Sequence, residues 1–131
     1  MKLSNYSRAR LMRTFSTWDV PKDFADPMYN YLVHGYSPGS CFTAILANDF
    51  ISAVSRSHPS NTIEAFKALV GWMRDTMPRE AYGSYKAVDD WCYLEADMRR
   101  SILEQHNLIH TAKEETWLNI KGEPVAEPVL Y

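Results

Sequence analysis

Glycine and cysteine are scarce in this chain, with five glycines and two cysteines in 131 residues. Cys41 and Cys92 stand far apart with no Cys-x-x-Cys spacing, so nothing points to a disulfide framework or a paired-thiol motif. Two reduced thiols, packed as small apolar side chains, are expected. No apolar run approaches the roughly 18–20 residues of a membrane span, and the basic start SNYSRARLMRTF lacks an apolar core of signal-peptide length. A cytoplasmic protein without a membrane partner is the expectation. An excess of either charge is missing too: 14 basic against 16 acidic residues give a net charge of -2. No global field therefore draws the chain onto nucleic acid. Internal repeats and low-complexity segments are absent.

What is present is a 46% hydrophobic, 23% charged composition, that of one soluble domain large enough to be stable without a metal or cofactor. Residues 1–20 read as a basic amphipathic head, 21–110 as a helical core and 111–131 as a mildly acidic hairpin or arm. Leu3, Tyr6, Leu11, Phe15 and Trp18 recur at helical steps, and Pro21 ends that pattern. Asp26-Pro27 reads as the cap and first residue of a short helix that Gly35 stops. Ser37-Pro38 repeats the device and opens a longer helix over about 38–55. This helix is apolar on both sides, as a central helix should be. Asn61 and Glu64 form a capping pair for a helix with the stripe Ile63, Phe66, Leu69, Val70 and Met73, running to Pro78. Ser84 caps a last helix of about 85–106, in which Glu95 and Arg99 stand four apart and are expected to pair. After His110, Thr116-Trp117-Leu118-Asn119-Ile120 has strand character, while Pro124 and Pro128 restrict the remainder to an edge strand or arm. The expected fold is mainly α: a small bundle of about four to five helices with a C-terminal β-hairpin or extended arm.

Chemistry concentrates on the 38–55 helix. Asn48, Asp49, Ser52 and Arg56 make a polar track down one side, with His58 just beyond its end and His34 and Tyr36 just before its start. Three readings are open. Asp49 accepts hydrogen bonds from Ser52, a Tyr or Trp, or Arg56 in a structural network; the track lines a cleft for a polar ligand or a partner's side chain; or Asp49 and His58 perform acid–base chemistry. The last lacks a nucleophile motif and a second placed carboxylate, so no enzyme is expected. His106 and His110 have the i, i+4 spacing of two metal ligands on one helix face, but no further ligand accompanies them and no metal is expected. Tyrosine and tryptophan exceed what a bundle core needs, and Tyr82, Tyr85 and Trp117 are assigned to a partner surface.

The segment Tyr31-x-x-His34-Gly35-x-x-Pro38-Gly39-Ser40-x-Phe42-x-Ala44-x-Leu46-x-Asn48-Asp49-Phe50-x-x-Ala53, followed by Arg56, resembles a loose group of short uncharacterised proteins carried by bacteriophages and prophages. The match covers roughly residues 21–77. Cys41 stands where such sequences often have another apolar residue. The resemblance implies a small accessory protein of the host cytoplasm and brings no catalytic residues. It points to binding of a host or host-defence protein, or alternatively to sequestration of a small nucleotide-like anionic ligand. A homodimer is a third expectation, through pairing of the arm.

Overall fold

The computed structural model of the chain describes residues 5–58 and 61–109, with side chains from residue 11 onward. The hairpin or arm expected at 111–131, its Trp117, and His110 of the paired histidines lie outside the described residues. Within them the fold is mainly α, in seven helices: α1 (Asn5–Thr17), α2 (Ala25–His34), α3 (Ser40–Leu46), α4 (Phe50–Ser55), α5 (Ile63–Thr76), α6 (Tyr85–Tyr93) and α7 (Ala96–Gln105). Single 3-10 turns at Lys22–Phe24 and Arg79–Ala81 lead into α2 and α6. The count exceeds the expected four to five because two of the expected helices are each broken in two.

The helix wrapped by the others is α2, not the 38–55 segment. Met28, Tyr29, Tyr31, Leu32 and Val33 are all buried, and the core continues through Leu11 and Phe15 of α1, Phe66, Leu69, Trp72 and Met73 of α5, Val88 and Trp91 of α6 and Leu103 of α7. The Tyr31 hydroxyl donates to the Ala81 carbonyl at 2.6 Å, which supplies a polar partner for the one polar atom on that buried ring. Burial pushes the Tyr31 phenol far above its usual pKa, so it stays a donor at any physiological pH.

The end of α2 is completed from elsewhere in the chain. Gly35 takes a left-handed backbone (φ 68°), as its position in the sequence predicts, and its N–H turns back to the carbonyls of Asn30 and Tyr31. The Trp91 indole N–H is shared between the Tyr31 and Leu32 carbonyls at 3.2 Å each, and Arg99 Nε donates to the Val33 carbonyl at 3.3 Å. A side chain at 35 would also collide, since a Cβ there would lie 2.8 Å from Arg99 Nη1 and 3.0 Å from the Cys92 carbonyl oxygen.

Arg99 corrects the expected pairing with Glu95. Leu94 and Glu95 are both extended, which breaks the 85–106 helix into α6 and α7 and leaves Glu95 as the residue before α7 and not inside a helix. Arg99 instead points inward, only 6% exposed, and donates to Val33 of α2 and to the Trp91 and Leu94 carbonyls at the end of α6. A cation at two helix C-termini meets the negative ends of both dipoles. Among the described residues, charges at four-residue spacing pair on the outside as Lys86 with Asp90 and Arg100 with Glu104.

Of the remaining N-terminal caps, three fall one or two residues from their expected places and one falls on it. Helix α2 begins at Ala25, so Asp26 and Pro27 sit inside its first turn, where a missing N–H leaves no hydrogen bond broken. Gly39 (φ 93°), not Ser37, precedes α3. Thr62, not Asn61, caps α5 by accepting from the Ala65 N–H at 3.1 Å, and Ser84 caps α6 as expected.

Candidate functional site

The polar pair Asn48-Asp49 does not lie on a continuous helix; it forms the corner between two. Asn48 adopts the left-handed region (φ 64°), which asparagine tolerates better than other residues with a Cβ, and this stops α3. Asp49 then caps α4: its Oδ1 accepts from the Ser52 backbone N–H at 3.2 Å. Its other oxygen, Oδ2, accepts from the Tyr85 hydroxyl at 2.7 Å, tying the corner to the first residue of α6. Two further bonds hold the corner: the Gly83 N–H donates to the Leu46 carbonyl at 2.7 Å, and the Cys41 thiol donates to the Ala53 carbonyl at 3.4 Å.

Electrostatics follow from these contacts. The hydrogen bonds from Tyr85 and Ser52, with Arg56 nearby, hold the Asp49 carboxyl below its ordinary pKa, and the same carboxylate pushes the Tyr85 phenol up. Asp49 is therefore a structural acceptor, ionised at neutral pH. Its pKa falls on folding, so the stabilisation it gives is complete above the ordinary carboxylate range and is lost as pH drops through the lowered value. Asp49→Asn is expected to lower the melting midpoint at neutral pH, with the gap to the parent protein closing in acid. Melting curves of both proteins across pH check this, and a gap that stays constant into acid contradicts it.

The corner sets the exposure of α4. Ala53 faces inward and is fully buried, while Phe50 (58% exposed), Ile51 (82%) and Val54 (36%) face solvent. Phe50 and Ile51 were expected on the two apolar sides of one central helix over 38–55, which the break at the corner removes. Asp49, Ser52, Arg56 and Tyr85 stand beside them as polar neighbours. The residues assigned to a site on sequence grounds therefore separate. Asn48, Asp49, Ser52, Arg56 and Tyr85 come together at the corner, and Tyr82 lies on the turn that leads into it. His58 follows α4 and is exposed.

His34 and Tyr36 belong to a different place. Their rings stack at 5.4 Å, with Tyr29 edge-on to His34 at 5.9 Å. They flank Gly35, which packs on the Cys92 carbonyl near the far end of α6, about 10 Å of helix rise from Tyr85. Partial burial, with Arg99 nearby, lowers the His34 pKa and favours the neutral ring. Burial raises both thiols, so neither Cys41 nor Cys92 is poised as a thiolate.

Two hollows open on α5, and the smaller of them reaches the corner. A broad groove of about 840 Å³ runs along α5 under Trp18, whose ring covers Gly71 and whose indole N–H donates to Asp75 Oδ2 at 3.2 Å. Glu64, Lys67, Arg74 and Asp75 line it with both signs of charge. A smaller hollow of about 350 Å³ lies between the end of α3, α5 and the turn before α6. Sequence reading missed its arginines, Arg74 and Arg79, because they belong to different segments and neither sits in a motif. Among the described residues, no group of three or more His, Cys, Asp or Glu side chains is placed to hold a metal ion, and no helix is long and apolar enough to cross a membrane. No family model, curated protein or solved structure matches the chain.

Proposed function

We propose that the chain acts by binding another protein on the outer face of α4. The observation that carries this reading is the adjacent exposure of Phe50, Ile51 and Val54 on one short helix whose backbone is fixed at both ends of the corner. Contiguous apolar surface of this kind, bordered by hydrogen-bonding groups, has the layout of a contact patch: apolar anchors in the middle and Asp49, Arg56 and Tyr85 at the rim. Covering the exposed parts of the three side chains contributes about 3–5 kcal/mol before the ordering costs of association.

The class of partner comes from the resemblance of roughly residues 21–77 to small phage and prophage proteins, and a host or host-defence protein in the host cytoplasm is accordingly part of the proposal. So is the arm or hairpin read from residues 111–131, with Trp117 as an additional aromatic contact. A second copy of the chain on the same face is the competing occupant, and it is separated from the first by sedimentation.

Ile51→Asp tests the reading, because an exposed side chain can be changed with little effect on stability. The variant is expected to keep the parent melting midpoint and to lose at least tenfold in affinity for whatever the parent protein captures from host lysate, while Lys86→Ala on α6 captures it normally. If the parent sediments as a dimer that Ile51→Asp dissolves, the occupant is a second copy. Capture that Ile51→Asp leaves unchanged, or a parent bait that recovers nothing over several salt conditions, removes the proposal.

A further inference from the structure

We infer that the smaller hollow is a binding site for a small organic anion with a flat apolar body, in the size and charge class of a nucleoside monophosphate. Its floor is apolar and belongs to the core: Leu46 and Met73 are buried, with Ile45 beside them. Tyr82 and Val70 form its walls, and Tyr82 offers an aromatic face. At its rim stand the guanidinium groups of Arg74 and Arg79, with the exposed Asn48 amide from the corner. The volume, about 350 Å³, is at the lower end of ligand-binding pockets, which suits a mononucleotide-sized molecule and not a polymer.

Charge separates this hollow from the groove next to it. The wider groove shares Val70 and Arg74 but brings Glu64 and Asp75, so its charges offset one another. No carboxylate lines the smaller hollow. Among the described residues, neither the Arg74 nor the Arg79 guanidinium donates a hydrogen bond or forms an ion pair. The dipole of α5 accounts for a cation at Arg74, in its last turn, but not for Arg79, which lies beyond the helix. Guanidinium groups bind phosphate and carboxylate oxygens with paired N–H donors, and two of them suit a dianionic phosphate over a single carboxylate. An apolar floor adds affinity only for an anion that carries an apolar body, which excludes inorganic phosphate as the best ligand.

The site is already shaped without a ligand. The turn that carries Arg79 and Tyr82 is fastened on either side of Tyr82, by the Tyr31 hydroxyl on the Ala81 carbonyl and by the Gly83 N–H on the Leu46 carbonyl. Pre-organisation of this kind reduces the ordering cost of binding. Asn48, held in its left-handed backbone, adds an amide with both donors and an acceptor to the lining.

Calorimetry and thermal shift with the four common nucleoside monophosphates, adenosine and inorganic phosphate provide the test. At least one monophosphate is expected to bind one-to-one and raise the melting midpoint, more tightly than either adenosine or phosphate alone, with affinity falling as salt is added. Arg74→Gln with Arg79→Gln is expected to weaken it at least tenfold. Val70→Glu, which sets a carboxylate in the wall at an exposed helix position, should do the same. Ile51→Asp should leave it intact, which keeps this site separate from the α4 face. Binding by none of the monophosphates, binding that survives both the double arginine variant and Val70→Glu, or adenosine or phosphate binding as tightly as the nucleotide would each overturn the inference.

Discussion

Arg99→Ala is expected to cost about 3–5 kcal/mol of folding stability, a large share of the roughly 5–15 kcal/mol that a domain has in total. The guanidinium is buried and donates to three carbonyls on two helix ends, those of Val33, Trp91 and Leu94. Truncation leaves the Val33 and Leu94 oxygens facing the space where it stood, and each buried acceptor without a donor costs about 1–3 kcal/mol. Arg99→Lys keeps the charge but gathers its donors on one nitrogen, which cannot stand where both Nε and Nη1 stood, so an intermediate loss is expected. Urea unfolding measures both, with the midpoint falling and the slope preserved. A loss below about 1 kcal/mol for Arg99→Ala would mean that water replaces the guanidinium without penalty.

Trp72→Ala is the second large effect, also about 3–5 kcal/mol. Trp72 is fully buried on α5 and meets the Phe15 ring of α1 edge-on at 4.6 Å. Its indole N–H donates to Thr14 Oγ1 at 2.9 Å. Alanine removes the ring, the aromatic pair and the donor together, so the loss falls on the attachment of α1 as well as on the core. Hydrogen exchange is expected to show the amides around Leu11–Phe15 losing protection beyond the global change. Trp72→Phe retains an aromatic ring beside Phe15 but loses the hydrogen bond and part of the ring volume, so it should cost less, about 2–3 kcal/mol. Equal losses for the two variants would show that the indole N–H, and not the packed ring, holds α1.

Local signals in the sequence located the helices well where the cause of an end is local. Gly35 stops α2 because only a left-handed residue fits there, and Ser84 starts α6 with its own hydroxyl. The stripe Phe66, Leu69 and Met73 identifies the buried side of α5 from spacing alone, although Ile63 and Val70 on the same stripe are half exposed. The Asn48-Asp49 corner was also written locally: asparagine suits a left-handed turn, and aspartate three residues before Ser52 is a cap. The apolar residues on both sides concealed it by supporting one continuous helix.

Other features have causes that no window of sequence contains. The break at Leu94-Glu95 has neither glycine nor proline, and it frees the Leu94 carbonyl for a guanidinium five residues further on. The central position of α2 depends on which helices arrive around it, and its composition is no more apolar than that of the 38–55 segment. The candidate hollow was hidden for the same reason. Leu46, Met73, Arg74 and Arg79 acquire a common wall only after α3, α5 and the turn before α6 are packed.

The way α2 ends also constrains the order of events during synthesis. Its last carbonyls are met by Trp91 and Arg99, which lie 59 to 66 positions downstream. A nascent chain that has emerged only as far as α5 holds α2 with its final turn unfinished and its most apolar surface uncovered. The central helix is thus made before the elements that complete it, and the partly synthesised chain depends on α6 and α7 to hide it.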